Sequence, residues 1–137
     1  MEDIIMKISI VVNKSLNSGQ KANVSAIIMG QLGHDITGIY TNTITDSSGV
    51  EHAGISVNVV ILDGGSGQLL SLIESARKNK VTCIAFSVIG QMLSNNYTEY
   101  QQKITVSDTE STKIIGVGLC GDDEVVKSLT KKFSLAK

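Results

Sequence analysis

Apolar and polar positions repeat with two different periods along this chain, and the switches between them mark out its elements. Met6 to Val12 (MKISIVV) is an apolar run rich in β-branched side chains and predicts a strand, ended by the polar turn NKSLNSG. Val24, Ile27, Ile28 and Leu32 then recur at helical spacing. They predict a helix over residues 19–32, capped by Ser18 and stopped by a left-handed Gly33. Residues 36–62 are different. Ile39, Thr41, Thr43 and Thr45 form a β-prone run that meets the turn signal Asp46-Ser47-Ser48-Gly49, so the segment reads as a hairpin or extended excursion. Ile55, Val57, Val59 and Ile61 alternate with Ser56 and Asn58 before Val60 and Leu62, which predicts a strand half exposed at its start and buried on both faces at its end.

The loop Asp63-Gly64-Gly65-Ser66-Gly67 leads into a predicted helix over about 67–79, with Leu69, Leu70, Ile73 and Ala76 on its apolar face. Arg77, Lys78 and Lys80 suit the negative end of its dipole. Val81 to Phe86 reads as a short buried strand, Tyr97 to Lys103 as a helix inside an irregular stretch, and Ile114 to Cys120 as the last central strand. Asp122, Asp123 and Glu124 open a final helix with the stripe Val125, Val126, Leu129 and Phe133. This order of strands and helices predicts a single α/β domain over residues 1–137, with helices on both faces of a small sheet.

Composition agrees with that picture and narrows the setting. The chain has 137 residues, of which 30 are Ile or Val, enough for a β-centred core without metal or disulfide staples. Twelve basic residues stand against thirteen acidic ones, and Arg77 is the only arginine, which argues against a nucleic-acid surface. No basic n-region opens the chain, and no apolar run approaches the roughly 20 residues of a membrane span. Cys83 and Cys120 sit in the apolar stretches VTCIAF and IIGVGLC, as expected of reduced thiols in adjacent strands of a cytoplasmic protein. No CxxC pattern suggests a metal, and no cofactor is expected.

Candidate chemistry is sparse. The DGGSG loop has glycines before a helix but lacks the Lys-Ser/Thr of a P-loop, so it reads as a turn with Ser66 or a neighbour as helix cap. No GxSxG elbow accompanies the two histidines. His34 reads as a loop residue. His52, just before a strand, is exposed and able in principle to shuttle protons. Lys14, Lys21 and Asn23 gather around the first strand-to-helix turn, where ligands of open α/β sheets often sit. Gln91, Asn95, Asn96 and Tyr97 form a second polar cluster after another strand, suited to hydrogen-bonding a small ligand but poor in acid/base chemistry.

Val11-Val12-Asn13-Lys14 with Leu16, His52-x-Gly54-Ile55-Ser56, Gln91 followed by Asn96-Tyr97, and Gly118-Leu119-x-Gly121 occur in an order that resembles the bacterial family known as domain of unknown function two-thousand. That family is similar in fold to the type-2 peptidyl-tRNA hydrolases, which implies a three-layer α/β/α sandwich around a mixed sheet of about four strands. The resemblance also implies dimers and, in the hydrolases, cleavage of a peptide–tRNA ester. It places Gly19, Gln20 and Lys21 on the first helical turn, with Lys21 nearest to the hydrolase lysine. Two positions depart from the pattern: Ile27 stands where relatives often carry histidine, and Ala85 where the hydrolases carry aspartate. Ester hydrolysis needs a group that activates water or stabilises developing charge, and only Lys21 and His52 remain as catalytic candidates. The expectation is therefore a module that binds an unknown small ligand through Lys14, Asn23, Gln91, Asn96 and Tyr97. A hydrolase acting on a peptidyl-tRNA-like or other small ester or amide is the alternative. A homodimer is expected to bury part of Tyr40–Ile55, whose apolar residues fall outside the βα units.

Overall fold

The computed structural model describes residues 5–137. β1 (Met6–Asn13) runs through the middle of the sheet, and all of its residues after Met6 are buried. α1 (Ser18–Asp35) follows, then the short ribbon β2 (Ile44–Thr45) and β3 (Glu51–His52), then β4 (Asn58–Gly64) and α2 (Ser66–Lys78). β5 (Thr82–Ser87), α3 (Val88–Met92), α4 (Tyr97–Val106) and α5 (Thr109–Thr112) lead to β6 (Ile114–Asp122), α6 (Asp123–Thr130) and β7 (Ser134–Leu135). The main sheet is mixed, in the order β5-β6-β1-β4-β7. β1 and β4 are parallel, in register from Lys7↔Asn58 to Asn13↔Gly64. β6 runs antiparallel to both β1 and β5, and β7 antiparallel to β4.

The pleat sends successive side chains to opposite faces, and each face has its own apolar cluster. Ile8, Ile10 and Val12 of β1 pack with Val24, Ile28 and Leu32 of α1, together with Ile39, Phe86 and Ile115. On the other face Val11, Val117 and Leu119 meet Leu69, Leu72, Ile73 and Ala76 of α2 and Val126 of α6. β6 presents Gly116 and Gly118 to α1. A Cβ at position 116 would lie 2.5 Å from Val24 Cγ1, and one at 118 would overlap Ile28 Cγ2. The two glycines thus let a long helix lie close against the sheet.

Several boundaries differ from the sequence expectation, each for a local reason. The sheet has five strands rather than about four, because Ser134 and Leu135 pair with Asp63 and Leu62 at its edge. Asn17, not Ser18, caps α1: its side chain accepts from Gln20 N while Gln20 Oε1 accepts from Asn17 N, a closed capping box. Gly33 does not stop that helix, which continues to Asp35. Gly33 is kept small instead by the Tyr40 ring, 2.5 Å from where its Cβ would stand. The strand expected from Ile55 begins at Asn58, and Ile55 only bridges to Tyr40. α2 starts at Ser66, one residue earlier than expected, and its cap is the neighbour Gly65, whose amide donates to Gln68 Oε1 at 2.8 Å. Phe133 lies beyond α6, and α3 and α5, only five and four residues long, are too short to carry a helical period. The expected excursion is present. Asp46 Oδ1 accepts from the amides of Ser48 and Val50, and Gly49 supplies the positive φ of 89° that closes the turn. Cys83 and Cys120 are free thiols in adjacent strands, packed into opposite clusters.

Candidate functional site

Lys21, the candidate nearest to the hydrolase lysine, is buried on the first turns of α1 and already partnered. Its Nζ lies 2.9 Å from Asp63 Oδ1 at the end of β4, and it donates to the carbonyl of Lys137 at 3.3 Å. The Lys137 amide in turn reaches Asp63 Oδ2 at 3.3 Å. Lys21 holds the Asp63 carboxyl below the usual carboxylate range, against the opposing effect of burial. A cavity of about 270 Å³ beside the pair is lined by Ser18, Lys21, Ala22, Ser25, Ile61, Ala136 and Lys137. Asp63 escaped sequence reasoning because the DGGSG run reads as a loop. Only the folded register reveals it, by setting Asp63 opposite Val12 at the end of the parallel pair.

His52 is remote in role from Lys21. Its Nε2 lies 2.7 Å from Asp46 Oδ2 within the exposed ribbon, and this contact, with the Ser48 and Val50 amides, lowers the Asp46 pKa. The rest of the His52-x-Gly54-Ile55-Ser56 motif builds the base of the same ribbon. Thr41 Oγ1 donates to the Gly54 carbonyl at 2.9 Å, Ser56 Oγ donates to the Gly38 carbonyl at 2.6 Å, and any Cβ on Gly54 would strike the Asn42 carbonyl. The motif therefore has a complete architectural explanation.

The five expected ligand-binding residues occupy separate places. Lys14 is exposed just after β1, its Cε near Gly65, and its amide donates to the Gly64 carbonyl at 2.9 Å. Asn23 is exposed on α1, and Gln91 is half-buried in α3. Asn96 is committed to capping α4, accepting from Glu99 N at 3.2 Å, and Tyr97 beside it is largely exposed. None of the five lines the cavity beside Lys21, the one beside Ser66 or the one at the β5 edge. His34 is exposed in the last turn of α1. In the DGGSG loop, Ser66 Oγ accepts from the Nδ2 of buried Asn13 at 3.0 Å, beside a cavity of about 400 Å³ that Glu110 and Lys113 also line.

A different concavity is better furnished as a seat for a ligand. It lies where β5 forms one edge of the main sheet, and its volume of about 410 Å³ falls within the range of small-molecule sites. Cys83, Ala85 and Ser87, alternate residues of β5, form its floor. Ile73 and Arg77 of α2 stand on one side, and Tyr100 and Ile104 of α4 with Thr109 and Thr112 of α5 on the other. Arg77, in the last turn of α2, makes none of the three ion pairs found among the described residues. Burial pushes the Cys83 thiol up, opposed by the nearby Arg77 guanidinium, and burial likewise raises the Tyr100 phenol. Ser87 Oγ accepts from Gly90 N, and Thr112 Oγ1 donates to the Thr109 carbonyl. Among the described residues the lining holds no carboxylate and no imidazole. Near neutral pH the groove thus presents one fixed cation, a neutral thiol, a neutral phenol and hydroxyls on an apolar floor. Among the described residues no group of three or more His, Cys, Asp or Glu side chains could hold a metal ion.

Fold and groove define a small mixed α/β domain with a ligand-sized concavity at one sheet edge. Residues 6–137 match the family described as "Protein of unknown function (DUF2000)", and the chain belongs to that family. It is also similar to the solved structure of a protein of unknown function, Atu0240 from Agrobacterium tumefaciens strain C58. The TM-score is 0.84 at 18% identity, over 98% of this chain and 100% of that one, a likeness of fold. No curated protein matches the chain.

Proposed function

We propose that this protein is a small-ligand-binding module, built on a three-layer α/β/α scaffold of the type-2 peptidyl-tRNA hydrolase kind, with the β5 groove as its seat. The observation that carries this reading is the chemistry of the groove lining: burial favours the neutral thiol and phenol, and among the described residues no carboxylate or imidazole faces the cavity as a general base. Such a lining can hold and orient a molecule but offers nothing to activate water. The alternative hydrolase reading is weakened by Lys21, whose amine is held by Asp63, and by His52, which belongs to the ribbon. A cytoplasmic setting suits two free thiols, and no helix of the described residues is long and apolar enough to cross a membrane.

Cys83 serves as an internal reporter, because it lines the groove whereas Cys120 is buried. N-ethylmaleimide is expected to modify Cys83 first, and 1-octanol, an apolar probe of suitable size, to slow that reaction about threefold or more at millimolar concentration, where weak apolar ligands bind. An unchanged rate at saturating octanol would remove the groove from consideration.

The same reading includes a homodimer. Residues 41–53 are all exposed, and Tyr40, Ile44, Val50 and Ile55 leave apolar surface on a two-stranded ribbon that would be marginal alone. Sedimentation at micromolar concentration is expected to give twice the chain mass of 14.6 kDa. A mass of one chain, unchanged on tenfold concentration, would contradict pairing.

A further inference from the structure

We infer that the β5 groove selects a singly charged, carboxylate-headed amphiphile, with Arg77 taking the head group and the apolar floor taking the body. This deepens the proposed ligand-binding role and rests on the groove being the seat. Three features of the groove lead to it. Arg77 is the one arginine of the chain, is exposed on the groove wall, and has no carboxylate within ion-pairing distance among the described residues. A planar guanidinium with free donors matches a carboxylate in a two-point arrangement that a lysine ammonium cannot reproduce. Its solvation is otherwise left to water, so a ligand supplies the missing acceptor without breaking any existing pair.

The second feature sets the charge. Arg77 sits in the last turn of α2, where unsatisfied carbonyls give the helix end negative character. Among the described residues no lysine lines the groove. One cation beside a negative helix end balances a single negative charge and leaves a dianion such as a phosphate monoester under-compensated. The third feature sets the body. Ile73, Val81, Ala85, Ile104 and Ile114 make an apolar lining, while Tyr100, whose hydroxyl has no hydrogen-bond partner among the described residues, can donate to the same carboxylate or to a polar atom along the chain.

The test compares octanoate, 1-octanol and octyl phosphate on the wild-type chain, Arg77→Gln and Arg77→Lys, with affinities read by calorimetry and by protection of Cys83 from N-ethylmaleimide. Octanoate is expected to bind the wild type about tenfold more tightly than octanol, as a charge-assisted pair allows. Arg77→Gln should erase that advantage, Arg77→Lys should retain part of it, and octanol should be indifferent to both. Octyl phosphate above pH 8, as the dianion, should bind more weakly than octanoate. Arg77 is an exposed helix residue, so circular dichroism should show both variants folded. Octanol and octanoate binding alike, with no response to Arg77→Gln, would overturn the carboxylate inference and leave the groove as an apolar seat. Tighter binding of octyl phosphate would overturn the single-charge inference. No protection of Cys83 by any probe would overturn the groove itself.

Discussion

Gly118→Val is expected to destabilise the domain by about 3 kcal/mol, the upper range for overpacking a core, and to lower its melting temperature by roughly 10 °C. The cause lies in how α1 meets the sheet. A single added methyl at 118 already overlaps Ile28 Cγ2 and comes within 3.1 Å of Leu32 Cδ1. Both neighbours are almost completely buried, and Ile28 is branched at Cβ, the atom that carries the clashing Cγ2 methyl, so a rotamer change gives little relief. The helix must move outward and loosen Val24, Ile28 and Leu32 together. Gly30→Ala, in the same helix with no atom within 4 Å of the new Cβ, should instead stabilise by about 0.5–1 kcal/mol through helix propensity. Paired thermal and urea melts read both signs, and a Gly118→Val melting point within about 2 °C of wild type would contradict the packing derived for this face.

Lys21→Met is the second large effect, and its pH dependence tells packing from charge. The variant keeps most of the buried volume but leaves the Asp63 carboxylate with only the 3.3 Å contact to the Lys137 amide. Breaking a fully buried pair costs about 3–5 kcal/mol and an exposed one less than about 1, so this pair, with side chains about one tenth exposed, should be worth about 2 kcal/mol at pH 7. Asp63 has a lowered pKa in the folded protein, so its contribution is present above the unfolded carboxylate value near 3.9 and is lost as pH falls through the folded value. In Lys21→Met, burial without the cation raises that pKa, so acid relieves the variant while it weakens the wild type. Urea unfolding should therefore show a wide gap at pH 7 that narrows below pH 4. A gap of equal size at pH 7 and pH 3 would assign the effect to lost packing.

What the sequence made legible follows from the physics of each signal. β1, α2 and β6 were plain because their apolar residues carry the period of the element that buries them, and α6 because Asp122 and Asp123 mark its start. β7 was not legible, since two exposed residues, Ser134 and Leu135, carry no period and are held by pairing to β4 alone. Gly33 misled because a glycine near a helix end usually stops it, whereas here the Tyr40 ring, seven residues on, sets the need for a small residue. The site was harder still. Lys21 was visible as a charged residue at a strand-to-helix turn, but its partner Asp63 is 42 positions away and hidden in a glycine-rich run. The groove residues Arg77, Cys83 and Tyr100 lie on three elements that only the fold brings together, and none stands in a recognisable spacing.

The most direct test of the groove as the ligand seat is a titration of the isotope-labelled chain with octanoate, followed by amide chemical shifts. The expected result is a saturable set of shifts on β5 from Thr82 to Ser87, on α4 around Tyr100 and Ile104, and at Arg77, with His52 and the Lys21–Asp63 pair unmoved. Shifts centred on Lys21, Asp63 and Lys137, or no shift at saturating octanoate, would contradict it.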